Sequence, residues 1–313
     1  MSPQAFSVLI SKLTDNAIEL LNHDSRYKRT GLAILDALLD VNDEILPDRK
    51  ILIAGYLRKV LENDKLSVDS SADILRSAAL SLGHLARIAS TTEIEFLQGF
   101  YLSEVVKWLY DSRSEVRRFC GVIILRQLAI NSPAIIFNKR KSYFTALWDI
   151  IFEKNQLLRE AAAEAIESTL VLFTQRENSD EYVRVVLSCV EAGFASNVQD
   201  KVHGSMLVVD ALLTSLPPND LLTTVRNVGK KFPDMIWEVL KRKDSKESYI
   251  KHKVMELIPK LASTSSAFFL QANFYTTPNN FLSFAMRHLL AMVKSVADRQ
   301  IAYVALGTLS STK

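Results

Sequence analysis

Glycine and proline are scarce in this sequence, with nine and eight copies among 313 residues. Strand-and-turn architectures use both residues freely, whereas the Leu, Ala, Ile, Glu, Lys and Arg that dominate here favour helices. The composition therefore predicts an all-α protein. Because 48% of the residues are hydrophobic, the chain can bury a core. Its length exceeds what one globular core accommodates, which leaves either two globules or one repeat array.

Cysteine is nearly absent, since only Cys120 and Cys189 occur and they form no CxxC pair. The chain also has no Asn-x-Ser/Thr acceptor for glycosylation and no basic N-terminal stretch followed by an apolar one. These absences favour a reduced, intracellular protein. Charged residues interrupt the apolar runs well before the roughly 18 residues that a membrane-spanning helix needs, so we expect no transmembrane segment.

Neither sign of charge dominates, because 38 Lys and Arg oppose 35 Asp and Glu and give a formal net charge of +3. No long basic block is present, so nothing suggests a nucleic-acid footprint. The sequence lacks Gly-rich phosphate loops, the HExxH motif and the catalytic-loop motifs of kinases. Its five histidines are dispersed, and nothing in their spacing proposes a metal site. We therefore expect no catalytic residue, cofactor or metal in this chain.

What the sequence does contain is an internal repeat. A basic residue that opens an apolar helical pattern recurs every 41–48 residues, close to the period of about 40–47 residues of HEAT and armadillo repeats. The pattern predicts an α-solenoid of about seven HEAT-type helical hairpins, forming one elongated domain over residues 1–313. The basic positions are Arg29, Arg76, Arg117, Arg159, His203, Lys251 and Arg299.

Only apolar residues stand three and six positions after each basic residue. Such offsets lie on one face of a helix, so each marked helix should be the inner helix of a pair and should bury this stripe. Residues that recur in every unit of an array normally serve stacking, so the basic residues are predicted to bind within the chain. Asp111 and Glu153, six positions before Arg117 and Arg159, are predicted partners. The stripe consists of Leu32, Leu35, Ala79, Leu82, Cys120, Ile123, Ala162, Ala165, Met206, Val209, Val254, Leu257, Ala302 and Ala305.

Outer helices are predicted upstream of four inner ones, at residues 51–61, 94–109, 143–152 and 182–192. Turn-forming residues predict breaks at Pro47, 111–112, 132–133, 217–218, 244–245 and 278–280. Three tryptophans fall in helical segments and are predicted to fill the core, namely Trp108, Trp148 and Trp237.

Several segments go beyond a generic repeat. The segment REAAAEAIESTLVLFTQRE (residues 159–177) closely resembles one in the N-terminal HEAT region of TOR protein kinases, above all in its ending TQRE. Further segments resemble that family in the same order: ILRQLAINSPAIIF (124–137), KVHGSMLVVDAL (201–212) and AYVALGTLS (302–310). The resemblance covers residues 24–310 and implies the N-terminal scaffold of a TOR serine/threonine kinase.

The resemblance implies partners rather than chemistry in this chain. In TOR kinases the region docks the companion subunit Raptor and helps to receive the activating GTPase Rheb. The segment IAGYLR (53–58) looks similar to part of the family surface that faces the GTPase, so Tyr56 and Arg58 are the implied protein-binding residues. The connection between the His203 helix and the Lys251 unit is short, whereas TOR proteins can carry a long insertion there. The kinase, FAT and rapamycin-binding regions of the family have no counterpart in these residues.

A second interpretation stays open, in which the chain is a free-standing HEAT adaptor with unrelated partners. An enzyme hidden in the chain is a third hypothesis, which the lack of convergent polar residues disfavours. We expect a cytoplasmic protein, with the endomembrane surface reached through complex partners and the nucleus as another location.

Overall fold

The computed structural model of the chain describes residues 3–41, 47–63, 66–89, 104–137, 140–174, 179–215, 235–236, 239, 248–264 and 281–311. Every regular element in these ranges is helical and no strand occurs in them, so the all-α prediction is confirmed. Fourteen helices lie in the described part of the chain. They are α1 (Pro3–Leu21), α2 (Ser25–Val41), α3 (Pro47–Leu61), α4 (Val68–Ile88), α5 (Val106–Leu109), α6 (Glu115–Asn131), α7 (Pro133–Phe137), α8 (Arg140–Ile151), α9 (Gln156–Thr174), α10 (Ser179–Ala195), α11 (Gln199–Ser215), α12 (Ser248–Thr264), α13 (Phe281–Val293) and α14 (Arg299–Ser311).

The helices pack in pairs, and the pairs stack. α1 packs on α2, α3 on α4, α5 on α6, α10 on α11 and α13 on α14. The second helices of successive pairs also pack on one another, namely α2 on α4, α4 on α6, α11 on α12 and α12 on α14. Stacking of this kind buries the apolar side of each hairpin against the next, which no single hairpin can achieve alone.

The predicted apolar stripe is buried in all seven repeats. Its fourteen residues lie on α2, α4, α6, α9, α11, α12 and α14, and each is at most 3% exposed. Seven inner helices with one shared pattern of burial are what the repeat predicts. The prediction of the stripe is therefore confirmed at every position.

The predicted outer helices are found where the structure describes them. α3 and α10 contain the predicted segments 51–61 and 182–192, and α8 ends one residue before the end of segment 143–152. Of segment 94–109, residues 104–109 are helical and residues 94–103 lie outside the described ranges. Trp108 and Trp148 are buried as predicted, whereas Trp237 lies outside those ranges.

Helices begin at or shortly after the predicted breaks at Pro47, 111–112 and 132–133. Pro47 is the first residue of α3, a position where the missing proline N–H costs no hydrogen bond. The backbone N–H of Ser70 donates to Ser67 Oγ at 3.3 Å at the start of α4, and that of Arg117 donates to Ser114 Oγ at 3.2 Å at the start of α6. Both serines satisfy donors that have no partner within the helix. The breaks predicted at 217–218, 244–245 and 278–280 lie outside the described residues.

The chain forms two compact units. The first comprises Met1–Ile150 with Asn155–Thr169, and it holds α1 to α7, nearly all of α8 and most of α9. The second comprises Ile151–Lys154 with Leu170–Lys313, and it holds α10 to α14. Each unit contains inner helices that pack directly on one another.

Two helices, α6 and α11, pack closely against their surroundings. In the first unit, α6 is enclosed on almost all sides, with 12 of its 17 residues buried, as expected of a helix that is apolar around its circumference. In the second unit, α11 approaches a backbone carbonyl very closely. A Cβ added to Gly204 would lie 2.0 Å from the carbonyl oxygen of Ile151, so only glycine fits this crossing.

Candidate protein-binding surface

Tyr56 and Arg58, the residues implied as protein-binding, lie on α3 in the first unit. One side of this helix packs on α4, and α1 also contacts it. Residues spaced three and four apart form that side, which fixes the opposite side as the outward one. The buried side consists of Ile53, Ala54, Leu57, Val60 and Leu61.

Two cations tie the start of α3 to neighbouring helices. The ammonium of Lys50, a buried residue, donates to the carbonyl oxygen of Ile88 at 2.9 Å, at the last residue of α4. A helix leaves this carbonyl without a backbone partner, so the bond satisfies it and places a cation at the negative end of the helix dipole. Arg49 donates to Ser11 Oγ on α1 at 2.9 Å and pairs with Asp15. These bonds and the apolar contacts fix α3 within its unit.

The outward side, termed here the α3 outer face, consists of Ile51, Leu52, Gly55, Tyr56, Arg58 and Lys59. Ile51 and Leu52 are 44% and 42% exposed, which is high for aliphatic side chains of this size. A Cβ added to Gly55 would meet nothing within 4 Å, so the middle of the face is open. Protein interfaces are enriched in aromatic residues and arginine around an apolar centre. The α3 outer face has this composition.

Two contacts order the polar side chains of the face. The ammonium of Lys59 lies 4.6 Å from the centroid of the Tyr56 ring, within the range of a cation–π interaction. Arg58 Nε donates to Glu62 Oε1 at 2.6 Å, one turn further along the chain. The face therefore offers an apolar and aromatic centre flanked by two cations. Such a surface is complementary to a partner that has an apolar patch and acidic neighbours.

Arginines at three basic repeat positions of the first unit pair with the carboxylates described next. Arg76 donates to both carboxylate oxygens of Glu164, at 2.7 and 3.1 Å. Arg117 lies 3.4 Å from Asp111, the partner that the sequence proposed. Arg29 lies 3.6 Å from Asp73. These carboxylates come from different elements in each case, so the three contacts do not repeat one geometry.

The remaining basic positions, Arg159, His203, Lys251 and Arg299, have varied surroundings. Arg159 and His203 are almost fully buried, and the His203 ring meets the Tyr249 ring edge-on at 4.8 Å. Arg299 Nε donates to the carbonyl oxygen of Val293 at 3.0 Å. Lys251, the remaining basic position, lies near His288. Burial lowers the pKa of His288, and the charge of Lys251 lowers it further. The repeat thus fixes where a basic residue lies but not which residue it contacts.

An ion cluster between α11 and α12 went unpredicted. Lys253 Nζ lies 2.7 Å from Asp210 Oδ2 and 3.0 Å from Glu256 Oε2, and Lys260 also pairs with Asp210. Burial alone would raise the pKa of Asp210, but hydrogen bonds from the two lysines outweigh it and hold the pKa below its ordinary value. Asp210 and Lys253 are 43 residues apart, about one repeat. That spacing is the signal by which the sequence could have revealed the pair.

Among the described residues, no three or more His, Cys, Asp or Glu side chains are arranged to hold a metal ion. Burial raises the pKa of Tyr143 to about 12 and also raises that of Cys189, so neither group is activated as a nucleophile. As for membrane insertion, none of the helices in the described ranges combines the length and apolarity that a bilayer span requires.

Curated relatives match nearly the whole chain. Serine/threonine-protein kinase TOR of Oryza sativa subsp. japonica is 26% identical over 315 residues, which cover 99% of this chain and 12% of that protein. The TOR kinase of Arabidopsis thaliana is 25% identical, and tor1 of Schizosaccharomyces pombe is 24% identical, with the same coverage of each chain. No protein-family model matches the chain.

Solved structures show the same fold. A Kap121p mutant superposes on 98% of this chain with a TM-score of 0.64, at 11% identity and over 30% of its own length. Kap95p, from a complex with RanGDP, covers 100% of this chain and 42% of its own, with a TM-score of 0.53 and 14% identity. At such low identity the likeness concerns the fold alone, which is that of HEAT and armadillo helical repeats.

The chain spans about 12% of the length of the TOR kinases that it matches. The matched part is the non-catalytic N-terminal part of those kinases, in agreement with the absence of kinase motifs from the sequence. The chain is therefore a homologue of the N-terminal HEAT-repeat scaffold of TOR serine/threonine protein kinases.

Proposed function

We propose that this chain is the protein-binding scaffold of a TOR-family serine/threonine kinase and acts in TOR nutrient and growth signalling. The observation that carries the proposal is the α3 outer face, where exposed aliphatic, aromatic and cationic side chains are held on a helix that is fixed to its neighbours. Residues 1–313 would act as one repeat array, in keeping with the relationship to TOR kinases along 99% of the chain.

The mechanism would be positional. A partner bound to the repeats holds substrates near a kinase domain elsewhere in the protein, which raises their effective concentration there. A bound partner can also bias the geometry of that domain. Neither effect requires a reacting group in these repeats.

The α3 outer face is the proposed docking site of a Rheb-like small GTPase, with Tyr56 as the central contact and Arg58 beside it. Tyr56 presents an aromatic ring with the Lys59 ammonium 4.6 Å from its centroid, and a tyrosine side chain, which has two χ angles, loses little conformational entropy on binding. Arg58 and Lys59 favour an acidic partner surface through charge complementarity.

The test is the variant Tyr56→Ala in the full-length kinase that contains this chain. Loss of a central tyrosine from an interface costs about 2 kcal/mol, so the GTP-bound GTPase should bind about thirtyfold more weakly. The concentration of GTPase that gives half-maximal activation should rise by the same factor. The matched control is Tyr27→Ala, which removes a 51% exposed tyrosine from α2 in the same unit.

Both variants should retain wild-type circular dichroism and melting temperature, because neither removes a core side chain. Arg58→Ala should weaken binding less, since Arg58 also pairs with Glu62. An activation titration in which Tyr56→Ala and Tyr27→Ala coincide with wild type would exclude the α3 outer face as the GTPase site.

A Raptor-like subunit is the second proposed partner, on the resemblance to TOR kinases alone. We place the protein in the cytoplasm, with recruitment to endomembranes through its partners and the nucleus as another location. Copurification of a Raptor-like protein with the tagged native protein tests the proposed partner. Microscopy of the tagged protein tests the proposed location.

The alternative is a free-standing HEAT adaptor with other partners. Immunoblotting of source-cell lysate with an antibody against this chain separates the two proposals. A band several-fold larger than the 35.2 kDa of these residues supports the kinase scaffold. A sole band near that mass supports the adaptor.

A further inference from the structure

The hairpin formed by α13 and α14 has an excess of positive charge. Residues 257–297 contain no Asp or Glu and form the longest acid-free stretch of the chain. Between residues 281 and 311 the only acidic residue is Asp298, whereas three Lys or Arg residues lie in the same range. The chain as a whole is nearly balanced, with 38 Lys and Arg against 35 Asp and Glu. The excess is therefore a local property of this hairpin.

Large apolar side chains are exposed at the end of the hairpin where the two helices join. α13 packs on α14, and the five residues 294–298 connect them. Val296 in this connection is 84% exposed, more than any other large hydrophobic residue in the described part of the chain. Leu290 lies one turn before the connection and Tyr303 one turn after it, and they are 53% and 56% exposed. This end, termed the hairpin tip, consists of Leu290, Lys294, Val296, Arg299 and Tyr303.

Hydrogen bonds hold the connection in place. Arg299 Nε donates to the carbonyl oxygen of Val293 at 3.0 Å, at the last residue of α13. His252 Nε2 on α12 lies 2.7 Å from Asp298 Oδ1. The one acidic side chain of the hairpin is thus bound within the protein and only 18% exposed, whereas Lys294 is exposed. The hairpin tip therefore presents cationic and apolar side chains to solvent on a fixed backbone.

The shape of the hairpin tip favours a lipid surface over a protein as the binding partner. A valine that is 84% exposed protrudes from its surroundings and does not line a groove. The main contacts between proteins lie in well-packed pockets from which water is excluded. A bilayer interface instead accepts a protruding apolar side chain, binds the cations beside it through anionic headgroups, and is a preferred environment for tyrosine.

We propose that the hairpin tip contacts an anionic membrane surface directly. Val296 and Leu290 enter the boundary between headgroups and acyl chains, while Lys294 and Arg299 pair with anionic headgroups. With so few side chains the contact is weak by itself, and it adds to any attachment that protein partners provide. The inference goes beyond the proposed function, since it requires neither a GTPase nor the α3 outer face.

The test is sedimentation of the full-length protein that contains this chain with vesicles of phosphatidylcholine, alone or mixed with an equal part of phosphatidylserine. Wild type should bind the anionic vesicles and stay in solution with the neutral ones. Lys294→Glu reverses a charge at the hairpin tip, so half-maximal binding should require about thirtyfold more lipid. The matched control is Arg184→Glu, which makes the same change of charge at an exposed position of α10 in the second unit. It should bind as wild type does.

A second pair of variants tests the apolar contact. Val296→Asp should require about tenfold more lipid, because it removes an inserted side chain and adds a negative charge. Val185→Asp alters a 45% exposed valine on α10 and should leave binding unchanged. Neither valine belongs to the core, so both variants should keep the wild-type melting temperature.

Three results would overturn the proposal. The first is no binding of wild type to anionic vesicles, as expected if a further repeat or a partner protein covers the hairpin tip. The second is equal binding to anionic and neutral vesicles, and the third is binding of the Lys294 and Val296 variants like that of their controls. Because the vesicles contain no protein, none of these results would affect the proposed GTPase site on the α3 outer face.

Discussion

Replacing Gly204 by alanine should destabilise the second unit by about 2 kcal/mol. The added methyl carbon would lie 2.0 Å from the carbonyl oxygen of Ile151 and 3.1 Å from its carbonyl carbon, where ordinary contacts are 3.4–4 Å. Because the obstacle is backbone, no rotamer change relieves it, and α11 must move away by more than 1 Å. Overpacking of this kind costs up to about 3 kcal/mol. Alanine regains about 1 kcal/mol of helix propensity over glycine, which leaves the net value given.

Urea denaturation followed by circular dichroism measures this difference. The control is Gly307→Ala on α14, where an added Cβ meets nothing within 4 Å and the propensity term acts alone. That variant should be about 1 kcal/mol more stable than wild type. Equal stability of Gly204→Ala and Gly307→Ala would refute a steric role for Gly204, because the two glycines differ in the space open to an added Cβ.

Two further predictions concern helix ends and charge. Ser114→Ala removes the hydroxyl that accepts the N–H of Arg117 at the start of α6, so it should lower the free energy of unfolding by about 1 kcal/mol in the same urea assay, and Ser114→Asp should restore it. Asp210→Asn should cost about 2 kcal/mol at neutral pH, because it removes one of the two carboxylates that pair with the largely buried ammonium of Lys253. Hydrogen bonds from the lysines keep the folded pKa of Asp210 below 3.8, so its contribution is complete above that pH and is lost as the pH falls through the folded pKa. Unfolding curves of wild type and Asp210→Asn should therefore converge in acid, and a constant gap down to the lowest pH would contradict this assignment.

The stacked helices could be predicted from the sequence because their signal is local and repeated. Each inner helix carries its own apolar stripe, and seven copies at a common period identify the same face seven times. The outward side of α3 follows from the same argument, since Ile53 and Leu57 mark the buried side. Local periodicity decides which side of a helix is buried even when its neighbours are unknown.

The repeat period did not predict contacts between distant repeats. The repeat placed Arg76 correctly on an inner helix, but its partner Glu164 is two repeats away and was not among the predicted contacts. Pairing at that distance depends on how successive hairpins are rotated, and small rotations per repeat follow from packing details that the period does not contain. Glycines posed a similar problem. Gly55 faces open space and Gly204 touches a backbone carbonyl, although both occupy the interior of a helix.

The enclosure of α6 determines how freely different parts of the scaffold can change during evolution. Twelve of its 17 residues are buried, so most substitutions there alter volume or polarity in a packed interior and carry the costs of core substitutions. The outward residues of α3 bear no such constraint from their own chain, because their removal opens no cavity. A lineage can therefore exchange binding partners by altering α3 while α6 keeps its residues, and the two helices of one unit are free to diverge at very different rates.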